Sequence, residues 1–184
     1  TLISEGTTQE IIAGLPSSVK VIDLSADFRI EDPATYEQWY GHPHQALDLQ
    51  KDAVYGLTEL NREKIAGSRL GACPGCYPTA DADDLVIDAK SGITGAGRGL
   101  KQNTLFSEAG EGLSPYAIAS HRHAPEIEQE VAKAAGRKAA DIRVNFVPHL
   151  IPMSRGELIT AHGRLAPGKT VQDLRAEIAK SYAG

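Results

Sequence analysis

Strand-like and helix-like segments are interspersed along these 184 residues with no fixed-length repeat, and this order constrains the fold more than any single motif. It predicts an α/β portion followed by an α+β portion, dividing near Cys76. The first strand signal is VKVIDLSADF at 19–28, a β-branched core followed by alternation of Leu24, Ala26 and Phe28 with Asp23, Ser25 and Asp27, which reads as a strand running into a functional-looking loop. Asp32 and Pro33 then supply an N-cap and a first helical residue, so a short helix is expected to about Tyr40, ended by Gly41. A second helix is expected over 59–66 behind Thr58, stopped by Gly67, and a strand over 68–72 leads into CPGCYP at 73–78. Beyond it, 85–89 reads as a strand running into the glycine-rich SGITGAGRG at 91–99. A helix beginning near Pro125 carries Ile127, Val131 and Ala134 on one face. Residues 143–147 and 157–165 read as strands, and Thr170 to Asp173 form a capping box opening a last helix with Leu174, Ile178 and Tyr182 in register.

Composition narrows the classes of function. With 41% hydrophobic residues, 23% charged and a formal net charge of −5, the chain has ordinary globular composition and no basic footprint for nucleic acid. No run of apolar residues is long enough for a membrane helix, and the first residues lack the basic start and apolar core of a signal peptide. A soluble, cytoplasmic protein acting on small molecules is expected. Two cysteines do not make a disulfide scaffold and suggest a reducing compartment in which a thiol stays free.

Four constellations have chemical potential. Cys76 stands between Gly75 and Tyr77-Pro78; a thiol at such a turn becomes a nucleophile when a helix N-terminus or a cation lowers its pKa, and is otherwise a small buried hydrophobe. His121, Arg122 and His123 gather two imidazoles and a guanidinium at a loop-to-helix junction, suited to an acid/base group plus an anion clamp, although at least one of these histidines is expected to be structural. The segment containing Ser91, Gly92, Gly95 and Gly97 offers backbone N–H groups to an anionic or amide-bearing ligand, but it lacks the spacing of a dinucleotide fingerprint. Arg29, at the end of DLSADFR, reads either as a surface residue paired to Asp23 or Asp27 or as a bidentate clamp for carboxylate or phosphate. His42, His44, His149 and His162 are scattered and receive no catalytic role.

Taken together, VIDLSADFR (21–29), YEQWYGHP (36–43), AVYGLTEL (53–60), PGCYPTA (74–80), DAKSGITGAGRG (88–99) and HRHAPEIEQE (121–130), in that order, resemble the N-acetyl-γ-glutamyl-phosphate reductase family of arginine biosynthesis, and PHLIPMSRGELIT (148–160) continues the likeness. The resemblance implies a Rossmann-like NADP-binding remnant over 1–75 and a partial α+β catalytic and dimerisation domain of the semialdehyde dehydrogenase type over 76–184. It implies NADPH-dependent reduction of an acyl phosphate to an aldehyde with release of phosphate, and a homo-oligomer, dimer or tetramer. Cys76 matches the nucleophile, which forms a thioester that accepts hydride. His121 matches the acid/base, with His123 second. Arg29 and Arg122 would hold substrate carboxylate or phosphate, and Ser91, Gly92, Gly95 and Gly97 would border the nicotinamide half of NADP(H).

The chain departs from the family at Cys73, where an asparagine is usual and which gives Cys76 a possible disulfide partner. It departs again at Ser4-Glu5-Gly6, where the family has Pro-His-Gly, and at PTADADDL, too short and too acidic for the apolar helix that follows the family nucleophile. The glycine-rich phosphate turn of the family is absent, so the chain is expected to be part of a longer one, with a lost N-terminus leaving a plastid location open. Three other readings stand: reduction of aminoadipyl or aspartyl phosphate, a zinc site from Cys73, Cys76, His121 and His123, and a thiol-disulfide module built on CPGC.

Overall fold

The computed structural model describes residues 6–73, 84–96 and 99–182. Its chain divides into two compact units, Thr1–Pro78 with Leu165–Gly184, and Thr79–Arg164.

The first unit is built on a three-stranded parallel sheet, β1 (Val21–Asp23), β2 (Ala53–Tyr55) and β3 (Leu70–Ala72), in the order β1-β3-β2. Val21 and Ala53 both pair with Leu70, and Asp23 and Tyr55 with Ala72, so the three strands end level at their carboxyl ends. Helices α1 (Thr7–Ala13), α2 (Pro33–Tyr40), α3 (Leu47–Asp52) and α4 (Thr58–Gly67) connect and flank them. Ile12, Phe28, Leu70 and Ala72 form the core, with Val21, Ala46, Leu49 and Ala53 packed around it. α2 starts as its sequence dictates: the Asp32 carboxylate accepts the Thr35 N–H at 3.0 Å, Pro33 has no N–H in need of an acceptor, and Gly41 ends the helix at φ 77°, a left-handed conformation that glycine adopts without cost. The first strand runs into the expected loop directly after Asp23, where the chain turns inward and buries Asp27, Phe28, Arg29 and Ile30. α7 (Val171–Ser181) carries the expected capping box, with Thr170 and Asp173 bonded reciprocally; Val171, Leu174, Ile178 and Tyr182 on its apolar side are exposed.

The second unit is a four-stranded mixed sheet of β4 (Asp84–Ser91), β5 (Ser114–Pro115), β6 (Arg143–Leu150) and β7 (Glu157–Gly163), ordered β5-β6-β4-β7. β4 runs parallel to β6 and antiparallel to β7. The register puts Ile87 beside Phe146 and Ala161 on one face, and Asp88 beside Val147 and Thr160 on the other. Leu85, Ile87, Ala89, Phe146 and Leu150 are buried on the first face, and α6 (Ala124–Ala134) packs on β6, bringing buried Ile127 and Val131 one turn apart. Each such side chain contributes about 1.5–3 kcal/mol of transfer free energy. The opposite face is mixed and wetter: Asp88 bonds Lys90 and lies 3.5 Å from His149 Nδ1, as expected of a sheet with one solvated side. A short helix α5 (Phe106–Ala109) precedes β5. Among the described residues no helix is long and apolar enough to cross a membrane.

Candidate active site

In the first unit the candidate site lies at the carboxyl ends of β1, β3 and β2, where open parallel sheets present ligand crevices. The Asp23 carboxylate accepts the Ser25 N–H at 2.9 Å and the Ser25 hydroxyl at 2.8 Å, and Ser25 Oγ accepts the Asp27 N–H at 3.1 Å. These contacts turn the chain at the strand end. Cys73, just past β3, donates its N–H to the Asp23 carbonyl at 2.7 Å, beside this turn. Cys73 is half-buried. Cys76 lies outside the described residues.

Arg29 is 9% exposed and donates from Nη2 to the Leu24 carbonyl at 3.0 Å, which makes it a buried part of the turn rather than a surface residue. Beneath it, the fully buried Asp27 carboxylate accepts the Gly6 N–H at 3.0 Å and the Tyr36 hydroxyl at 2.7 Å. Gln9 donates to Tyr36 Oη at 3.0 Å and accepts the Gln45 N–H at 2.6 Å. Sequence reasoning passed over Gln9, Tyr36 and His44; each is a polar residue that only burial makes significant.

In the second unit the loop before α6 presents His121. Its Nδ1 accepts the His123 N–H at 3.1 Å, so the neutral ring carries its proton on Nε2. The rings of Tyr116, His123 and Phe146 stand edge-on at centroid distances of 5.6, 4.8 and 5.1 Å. Burial, then repulsion by His123 and Arg122, lowers its pKa to about 4. His121 is therefore a neutral N–H donor across the physiological range. Arg122 is exposed, and His123 occupies the N-cap position of α6. The segment leading in is strained: Ala117 and Ala119 take φ 46° and 54°, a left-handed conformation that costs alanine about 1 kcal/mol or more each. A pocket of about 140 Å³ lies under Tyr116, lined also by Asn103, Glu108, Ser114 and Leu150. Tyr116 and the buried Glu126 escaped the sequence reading, although Glu126 stands in HRHAPEIEQE.

The glycine segment differs from its expectation in one respect. Ser91 ends β4, and residues Ile93–Ala96 form a 3₁₀ turn. The N–H groups of Gly92, Ile93 and Thr94 donate to the carbonyls of Gly156, Met153 and Ser154 at 2.8, 2.9 and 3.1 Å, and Gly95 N–H donates to Gly92 at 3.3 Å. These four amides are engaged within the protein and do not form an anion cradle. A Cβ at Gly92 would stand 2.9 Å from the Arg155 backbone, so glycine is required there by the 151–156 loop. Gly97 lies outside the described residues. Among the described residues no three His, Cys, Asp or Glu side chains group as a metal cage.

Comparison with known proteins matches a family model, semialdehyde dehydrogenase, dimerisation domain, to residues 67–184, and a second, semialdehyde dehydrogenase, NAD binding domain, to residues 3–68. The chain is 48% identical over 194 residues to the "Probable N-acetyl-gamma-glutamyl-phosphate reductase, chloroplastic" of Arabidopsis thaliana, covering 98% of this chain and 48% of that protein. It is 48% identical over 197 residues to the N-acetyl-gamma-glutamyl-phosphate reductase of Afipia carboxidovorans (98% of this chain, 55% of that protein). It is 50% identical over 183 residues to that of Pseudomonas putida (92% and 52%). The chain spans about half the length of the relatives it matches.

Proposed function

Because the chain belongs to the semialdehyde dehydrogenase family, we propose that its residues serve the NADPH-dependent reduction of N-acetyl-γ-glutamyl phosphate to N-acetylglutamate semialdehyde and phosphate. The observation that carries the reading is His121, a neutral ring clamped among aromatics with its proton on Nε2. An acyl transfer needs such a neutral donor where negative charge develops on oxygen.

In this reaction the Cys76 thiolate attacks the acyl carbon and the C–O bond to phosphate breaks, leaving a thioester and free phosphate. NADP(H), when bound, supplies the hydride. The His121 Nε2–H donates to the carbonyl oxygen as it becomes an oxyanion, and collapse of that adduct breaks the C–S bond, returning the thiolate and releasing the aldehyde. His123, whose N–H fixes the His121 ring, orients it. Arg29 and Arg122 bind substrate carboxylate or phosphate. Ser91, Gly92, Gly95 and Gly97 border the nicotinamide. The first-unit strands represent the nucleotide-binding portion and the second unit the catalytic and dimerisation portion, of a homo-oligomer, dimer or tetramer, in the cytoplasm or, as in the plant relative, a plastid.

The test is the phosphate-dependent reverse reaction, oxidation of N-acetylglutamate semialdehyde by NADP⁺, followed by the absorbance of reduced nicotinamide. Cys76→Ser abolishes turnover and Cys73→Ser leaves it; His121→Asn lowers kcat by about 10²–10⁴-fold. The His121 contribution is present above the ordinary histidine pKa of 6.5 and is lost as pH falls toward about 4, where Nδ1 gains a proton and the His123 N–H loses its acceptor. An acid limb near 6.5 that disappears in His121→Asn, or turnover surviving in Cys76→Ser, overturns the reading.

A further inference from the structure

His44 is 6% exposed and lies in the first unit, in the segment between α2 and α3. Its Nδ1 accepts the Ala46 N–H at 3.1 Å, which leaves the proton on Nε2, and Nε2 donates to the Asp27 carbonyl at 2.8 Å. One ring thus joins main-chain groups nineteen residues apart in the chain. Its faces are closed by Phe28 and Tyr36, edge-on at 5.3 and 5.0 Å. The next carbonyl of the same loop, that of Phe28, accepts from Gln50 of α3 at 3.3 Å. Loop 24–30 is therefore held through its carbonyls by side chains, in place of strand pairing.

We propose that His44 is a positioning residue for this loop: the ring with its proton on Nε2, held by Ala46, fixes the Asp27 carbonyl and the backbone that presents Arg29 to an anionic substrate, and a proton gained at Nδ1 releases it. The proposal rests on the assignment of Arg29 to the substrate made above. A proton at Nδ1 would point at the Ala46 N–H, a donor against a donor, and the hydrogen bond is lost. The groups facing the ring are the Asp27 carboxylate and carbonyl from the loop, Tyr36 from α2, Gln50 from α3 and His42 from its own segment. Burial and the His42 charge oppose protonation while Asp27 and Gln50 favour it; burial is the largest influence, and the net shift is downward. The latch is closed above pH 6.5 and opens as pH falls through the lowered folded value.

Two measurements test it. Hydrogen exchange across pH in the unsubstituted protein reads the latch directly: corrected for intrinsic rates, the Arg29 and Ala46 amides lose protection by roughly fivefold as His44 titrates, as expected for one lost buried hydrogen bond. Kinetics then compare His44→Gln, whose Nε2 keeps a donor toward Asp27, with His44→Asn, whose Oδ1 keeps only an acceptor for Ala46. His44→Gln removes the acid-dependent loss of protection and keeps KM within about twofold; His44→Asn raises KM for the semialdehyde by about fivefold with kcat unchanged. Arg29 and Ala46 protection that is indifferent to pH in the unsubstituted protein, or Arg29 protection in His44→Asn equal to that of the unsubstituted protein, overturns the proposal. Protection that titrates while KM stays fixed in both variants preserves the hold of His44 on the loop and overturns the assignment of Arg29 to the substrate.

Discussion

The loop 24–30 and the segment 116–123 both present candidate substrate-binding side chains, and they are held in opposite ways. Loop 24–30 is tied by hydrogen bonds to buried polar side chains: Asp27 to Tyr36 and Gly6, the Asp27 carbonyl to His44, the Phe28 carbonyl to Gln50. Segment 116–123 has ring packing around His121, main-chain hydrogen bonds such as Tyr116 N–H to the Pro148 carbonyl at 3.0 Å, and two alanines in the left-handed region. The first scheme gives a unique geometry because an unmet buried donor or acceptor is costly. The second fixes the His121 tautomer, with Nδ1 accepting the His123 N–H and the proton on Nε2.

The contrast breaks most severely at Phe146. Phe146→Ala removes a buried ring and one wall around His121, and should cost about 3–5 kcal/mol in a denaturant titration of the whole protein. It should also raise the His121 pKa toward its ordinary value by admitting water, which a histidine NMR titration reads; a ring that still titrates near 4 would mean that His123 and Arg122, not burial, set the shift. In the other region Tyr36→Phe deletes a hydroxyl that both donates to the buried Asp27 carboxylate and accepts from Gln9. A loss of about 1.5–3 kcal/mol is expected, the range for a bond to a charged group; a loss below about 0.5 kcal/mol would show that the network is not what holds this loop. The smallest effect is a gain. Ala119→Gly relieves a left-handed alanine and should stabilise by up to about 1 kcal/mol, with a lower kcat if the strain serves to aim His121.

Where a residue's role is local, the sequence already shows it. Asp32 and Pro33 begin α2, Thr170 and Asp173 begin α7, and the 3.6-residue spacing of Ile127 and Val131 marks the inner face of α6. β2 and α3 escaped the reading, since three residues such as Ala53–Tyr55 become a strand only by pairing with Leu70–Ala72 from elsewhere in the chain. The alternation through 24–28 is compatible with a strand running into a loop but does not tell where the strand stops: β1 ends at Asp23 and the following residues form a buried turn. Two-residue periodicity records which side chains are apolar, not whether their carbonyls find strand partners or a His44 and a Gln50.

At the site, the order of the motifs identified His121, Arg29 and the glycine turn as places of interest, because residue type and neighbours suffice to suggest a donor, a cation and a permissive backbone. Tertiary structure decided what each of them is. His121 is neutral because desolvation and adjoining cations act through space. Arg29 is buried because a turn closes over it. Gly92 is a glycine because a Cβ there would stand 2.9 Å from the Arg155 backbone of loop 151–156, whose carbonyls take up the amides of 92–94. The order of elements along the chain, the helix starts and the chemical inventory follow from covalent neighbours. Protonation state, hydrogen-bond partner and exposure depend on groups tens of residues away, and only the folded chain brings those together.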